Sequence, residues 1–255
     1  MQKGKLLWLL GFGMLTYGRA HAQVAATDKG TFYVSMGNNA SFYSKSDIRL
    51  VSHGAPSFDF TLHNVGAKDD GISNFNTGSP QYSFQLGYYS HKKNWGVEFT
   101  FDHNKYYVTQ NQRVRLTGRI NNTTYNTDTV LTPDFVKLEH SDGANYAIFK
   151  LVRWQPLITH ENNTLLNLTL KAGAGPVIPK TNSTIMGNYR DDRYKIAGYV
   201  IALEGGLRYN IARHLFAEGN AKGAFANYGH FLIANGRGSQ QWYGLHIEVL
   251  LGFQI

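Results

Sequence analysis

Eight stretches in which apolar residues recur at every second position, joined by connections that are long and short in turn, predict an all-β chain. The clearest stretch is 242–255, WYGLHIEVLLGFQI, where Tyr243, Leu245, Ile247, Val249, Leu251, Phe253 and Ile255 alternate with Gly244, His246, Glu248, Leu250, Gly252 and Gln254. A period of two sends the two sets to opposite faces of one strand. An even strand number, one greasy face per strand and alternating connection lengths together specify an eight-stranded antiparallel up-and-down transmembrane β-barrel. Its loops at the extracellular end are long and its periplasmic turns short.

Ahead of the first strand, Lys3 and Lys5 precede an apolar run over 6–15, and Ala20-His21-Ala22 supplies small residues before Gln23. That layout is a cleavable signal peptide over 1–22, with 23–255 as one barrel domain. The run falls short of the ~20 residues that a membrane-spanning helix needs. Without it the formal charge falls from +8 to +5. So modest an excess does not point to nucleic acid.

The strands follow in order at 31–43, 81–90, 95–108, 144–154, 164–175, 196–209, 214–226 and 242–255. Three short links separate them in pairs: 91–94, 155–163 with Pro156 as a breaker, and 210–213. Four long polar segments lie at the other end: 44–79, 109–142, 176–195 and 227–241. Within the second, 112–120 and 129–138 alternate well enough to pair as a hairpin beyond the membrane. A last strand that reaches the final residue is expected to pair with the first, which leaves no edge. The absence of cysteine excludes a disulfide framework and a lipid-modified N-terminal cysteine. With 27 glycines, 16 tyrosines and 15 phenylalanines, the composition argues against a helical protein.

Mid-strand charges decide which face meets lipid. Glu98, Lys150, Lys171, Glu204, Arg208, Glu218, Lys222 and Glu248 all fall on the less apolar face of their strands. With the apolar face outward, these four acids and four bases line an interior just wide enough for side chains to fill, and they are expected to pair there as a plug. Gly87, Gly173 and Gly206 are expected to make room for them. Trp95, Trp154, Tyr88, Tyr209 and Trp242 lie near strand ends, where interfacial aromatic girdles belong. A soluble barrel with the charges in solvent is the rival arrangement.

With those features in hand, the chain resembles the small Gram-negative outer-membrane β-barrel proteins over nearly all of 30–255. It is similar in particular to an uncharacterised eight-stranded group through YSKSDIRL (43–50), FDFTL (58–62), FDHNKY (101–106), LEHSDGANY (138–146) and KTNSTIMG (180–187). The resemblance implies the outer membrane, insertion by the barrel-assembly machinery, and contact with outer-membrane lipid and lipopolysaccharide. It implies no particular activity. One enzyme class on this architecture, the lipid A deacylase, uses a His-x-Ser pair. Here Ser141 follows His140 directly, and His230 is followed by Phe231 and Leu232.

Glu139-His140-Ser141-Asp142 has the residue types of a hydrolytic triad, but neighbours on an extended chain diverge where a triad must converge. The ten histidines form no metal-binding spacing. Asp69-Asp70 and Asp191-Asp192 are the oxygen-rich pairs that a divalent cation would take. Lys45, Arg49, Arg113, Arg115, Arg119, Arg190, Arg193 and Lys195 are the candidate lipopolysaccharide contacts, since Arg suits bidentate phosphate binding. The expectation is a monomeric, non-catalytic barrel without cofactor or metal, working structurally or adhesively through its outer loops. A lipid-modifying enzyme and a narrow solute channel are the alternatives.

Overall fold

The computed structural model of the protein describes residues 30–69, 80–161 and 163–255. The expected signal peptide lies outside them, as does Asp70. Fifteen strands follow in chain order among the described residues: β1 (Thr31–Tyr43), β2 (Ser46–Ser52), β3 (Phe58–Val65), β4 (Ala67–Lys68), β5 (Tyr82–Ser90), β6 (Trp95–Val108), β7 (Arg113–Ile120) and β8 (Thr123–Val130). Then come β9 (Val136–His160), β10 (Asn163–Pro179), β11 (Asn182–Ile185), β12 (Asn188–Asp191), β13 (Gly198–Ala212), β14 (Leu215–Ile233) and β15 (Gly236–Gln254).

Eight of them close a ring in the order β1-β5-β6-β9-β10-β13-β14-β15, every neighbour antiparallel. The seam is β1 on β15, in unbroken register from Tyr33 opposite Gln254 to Tyr43 opposite Gly244. Closure satisfies the backbone of every wall strand, as a hydrocarbon surrounding demands.

Alternation carries straight into burial. Along β15 the odd-numbered residues from Tyr243 to Phe253 are exposed and the even-numbered ones from Gly244 to Gln254 are buried. Leu203, Val249 and Tyr243 are each 68% exposed and Phe149 69%, on an outer wall that also carries Phe32, Met36, Leu151, Ile201 and Leu251. So many large apolar side chains facing outward all round the ring make sense only against lipid.

The sequence underestimates the strands. β9 runs for 25 residues, roughly 80 Å at about 3.3 Å per residue, against a hydrocarbon core of ~30 Å. It passes through Pro156, the expected breaker, which pairs with Asn167 next to two register shifts that absorb the missing donor. At the other end the expected long segment 227–241 is instead the continuation of β14 and β15, joined by the tight turn Ala234-Asn235 with Asn235 at φ 56°. The other three long polar segments also contain strands. β2 joins the upper end of β15, β3 joins β2, β7 joins β3, and β8 is the outermost. The hairpin expected from 112–120 and 129–138 forms instead between β7 and β8, while 136–138 belongs to β9.

This upper sheet is two-faced. Ile48, Leu50, Phe58, Phe60, Leu62, Val114 and Leu116 point inward and meet Leu131, Val136, Leu138, Ile185, Phe231 and Ile233 in one buried cluster. The barrel is therefore roofed by an apolar dome. Gly118, at φ +128°, lies beside Phe60 where a Cβ would fall 2.3 Å from the Asp59 carbonyl oxygen, so only glycine lets β3 and β7 close there.

Trp154 and Trp242 correct the expected girdle. Both are buried in the interior, because each has the parity of the inward set on its strand: Trp154 with Lys150 and Val152, Trp242 with His246 and Glu248. Trp95 and Tyr209 face outward and Tyr88 is half-exposed.

Removing the Phe60 ring opens the dome without touching the wall. Phe60→Ala should cost about 3–5 kcal/mol of local stability. Limited trypsin digestion should then cut at Arg113, Arg115 and Arg119 much faster than in the wild type, while the folded barrel keeps its fast mobility on unboiled gels. Equal digestion rates would mean that the dome does not hold the upper sheet.

Candidate functional site

Two places gather chemistry-bearing side chains, the interior and the outer face of the upper sheet. The interior is filled in layers. Nearest the short turns, Tyr33, Tyr89, Val152, Trp154 and Phe216 form an aromatic floor, with Trp154 stacked on Tyr89 at 4.1 Å. Gly87 is the opposing gap: a Cβ there would fall 2.2 Å from Cζ of Tyr33. The Arg208 guanidinium lies over this floor, 3.3 Å from the Phe216 ring centre and 4.3 Å from that of Trp154. Cation–π attraction strengthens once water is excluded.

Above it lies the charge network. Lys171 Nζ is 2.6 Å from Glu218, 3.0 Å from Glu98 and 3.1 Å from Glu204, and Lys150 bridges Glu98 and Glu204. Arg208 reaches Glu218 at 3.4 Å and donates to Gln254 at 2.6 Å. These three cations face three carboxylates. The Tyr33 hydroxyl donates to Glu98 at 2.9 Å, and Thr100 donates to it at 3.1 Å.

A second group holds one cation, Lys222, between Glu248 and Asp102, the latter at 2.6 Å, with the Ser83 hydroxyl donating to Asp102. Asp102 is absent from the network expected from sequence. Its parity with Glu98 and Thr100 on β6 is the signal that places it there. Asp102 thus adds a fifth carboxylate to the four acids and four bases expected. Higher still, Tyr106, Trp242 and Tyr228 stack at 4.4 and 4.2 Å, with His140 stacked on Tyr228 and His246 edge-on to Tyr43 and Tyr146.

The candidate lipopolysaccharide contacts fall into two sets. Lys45, Arg49, Arg113, Arg115 and Arg119 belong to the β2–β3–β7–β8 side, and Arg190, Arg193 and Lys195 to the β11–β12 hairpin and the segment after it. Arg49 forms a two-pronged pair with Asp59 at 3.0 and 2.9 Å, Arg115 pairs with Asp128 at 3.3 Å, and Arg190 and Lys195 share Asp192. Lys45, Arg113, Arg119 and Arg193 make no ion pair among the described residues. The Arg49 hydrogen bonds hold the Asp59 carboxyl below the usual carboxylate range, and Lys180 does the same for Asp142.

A groove of about 680 Å³ opens where β2 leaves the wall, lined by Lys45, Arg49, Asn227, Gln241, Phe225 and Tyr243. Phe225 and Tyr243 are opposed in the ladder, their rings 5.2 Å apart, and Asn227 opposes Gln241 two residues higher. Going up the wall, the aromatic pair gives way to amides and then to Lys45 and the Asp59-paired Arg49, with the Asp47 carboxylate also in the lining.

The remaining motifs do not assemble. His140 is fully buried and bonds Thr181 at 3.0 Å, Ser141 donates to Glu139, and Asp142 pairs with Lys180. Asp191 also faces Lys180, and Asp69 accepts from the Ser41 amide and from Gln81. No cluster of metal-ligating side chains is present among the described residues.

A closed ring with a greasy exterior and an ionic interior settles the class. The chain is a transmembrane β-barrel of the outer-membrane kind. No family model matches the sequence, and no curated protein matches it. Among solved structures it is similar to the outer-membrane protein OprG of Pseudomonas aeruginosa, at 11% identity and a TM-score of 0.43 over 89% of this chain and 97% of that one. It is also similar to Ail, the attachment invasion locus protein of Yersinia pestis, in complex with the heparin analogue sucrose octasulfate (12%, 0.34, 89% and 99%). A third is Neisserial surface protein A (10%, 0.33, 85% and 96%).

Lys171 is the most connected cation of the lumen. Lys171→Met should lower stability by about 3–5 kcal/mol, the usual cost of stranding buried partners. The urea midpoint of the refolded protein in detergent reads it. Adding Glu218→Gln to that variant should recover part of the loss, and an unchanged midpoint for Lys171→Met would show that the network is not what holds the wall.

Proposed function

We propose that this barrel is a non-conducting surface protein that binds the phosphorylated headgroups of outer-leaflet lipopolysaccharide and displays an ordered sheet beyond them. The observation that carries the reading is the groove under β2. Phe225 and Tyr243 sit at the top of the lipid-facing wall, with Lys45 beside them, Arg49 above and the Asp47 carboxylate in the same lining. A glycolipid anion needs that vertical order of chemistry, apolar below and cationic above. Arg113 and Arg119 extend the positive charge along the outer face of the sheet, where each adds long-range attraction for a polyanionic surface.

The layered interior supports the non-conducting part. Aromatic floor, ion pairs, aromatic stack and aliphatic dome follow one another and fill the described interior. Long strands with a rigid roof supply a stable platform for surface contacts, which is the usual division of labour between scaffold and loops. Structural anchoring and adhesion both follow from such a platform. Insertion by the barrel-assembly machinery is part of the same reading.

Two measurements test it. Purified lipopolysaccharide should be retained by the refolded protein in detergent, more weakly as salt rises, and the double variant Lys45→Gln, Arg49→Gln should retain severalfold less. Equal retention by that variant would remove the groove from the function. In planar bilayers the wild type should show no open steps; stable steps of conductance would refute the plug.

A further inference from the structure

We infer that β8 is a docking edge for a second copy of this chain. It is the last strand in the sheet order and, among the described residues, pairs only with β7. Seven of its eight residues are exposed and the eighth, Thr129, is half-exposed, so nothing described covers either face.

Sheets normally protect such an edge with proline, lysine, a bulge, shortness or a covering element. The strand TTYNTDTV has none of these, and its register with β7 runs unbroken from Thr123 opposite Ile120 to Val130 opposite Arg113. Four threonines, a tyrosine and a valine favour extended pairing. The strand is also held in place from behind. β7 is laddered to β3, and its Val114 and Leu116 are buried in the dome, so little ordering remains to be done on docking.

The occupant follows from self-complementarity. In an antiparallel pair directly opposed residues share a face, so β8 meets its own copy only with a residue at the centre. Centred on Asn126, Thr123 opposes Thr129, Thr124 opposes Asp128, and Tyr125 opposes Thr127. Centred on Thr127, Thr124 opposes Val130, Tyr125 opposes Thr129, and Asn126 opposes Asp128. Either arrangement pairs seven residues of each copy and sets no like charges against each other. The sole charge on the strand, Asp128, is already neutralised by Arg115, which also donates to Asn126 at 2.9 Å. Threonine pairs and uncharged neighbours across the seam are stabilising. A seam of this size belongs to the weak, transient class, so trapping it covalently is the fitting measurement.

The chain has no cysteine, which makes single-cysteine variants clean probes. Asn126→Cys or Thr127→Cys, refolded in detergent and mildly oxidised, should give a disulfide dimer severalfold more abundant than Thr123→Cys does, because in either arrangement residue 123 lies at the end of the seam, far from its own copy. Adding Tyr125→Lys should abolish the dimer while the barrel keeps its fast unboiled gel mobility. The inference fails if neither central cysteine cross-links, if Thr123→Cys cross-links equally well, or if Tyr125→Lys leaves the dimer in place.

Discussion

The ammonium of Lys171, held among the carboxylates of Glu98, Glu204 and Glu218, is the interaction on which the rest of this molecule depends. A wall whose outside is greasy must put its polar residues inside, and an eight-stranded ring leaves no room there for bulk water. Each of those charges would cost several kcal/mol if left alone. The network removes that penalty from four wall strands at once, since Glu98 comes from β6, Lys171 from β10, Glu204 from β13 and Glu218 from β14. Tyr33 adds β1 through its bond to Glu98. Ion pairing thus ties together, across the interior, strands that the backbone ladders join only to their neighbours.

The filled interior pushes any function outward. The dome seals the top, and the strands that build it carry their charged faces to the surface. Arg49, Arg113, Arg115 and Arg119 are therefore presented on a sheet rather than on mobile loops. That rigidity underlies both readings offered for the exterior. A groove of fixed shape can hold one class of headgroup, and a fixed edge can pair with its own copy.

Much of this was legible in the residues. The ring strands at 31–43 and 95–108 have the bounds that alternation sets, because a wall strand with lipid on one side and ion pairs on the other follows a period of two through the membrane, and departs from it only towards the upper end, at 39–41 and 104–106. Asp102 and the inward Trp154 and Trp242 obey it too. For the two tryptophans residue type points the other way: tryptophan suggests an interface, yet parity with Val152 or His246 assigns its face. The upper sheet was harder to see. DIRLVS, FDFTL and RVRLTG alternate, but each is short and carries charge, and the pairings that fix their places, β2 on β15 and β7 on β3, join residues far apart in the chain.

Sequence by itself determined the class of the chain, the number of wall strands, their parity and so which side chains face lipid, since a two-residue period is a local property of the backbone. Tertiary structure alone decided which carboxylate meets which cation, that the polar segments form a roofed sheet, and that β8 ends it. Those outcomes depend on register and on contacts between residues far apart in the chain, and no local pattern records them.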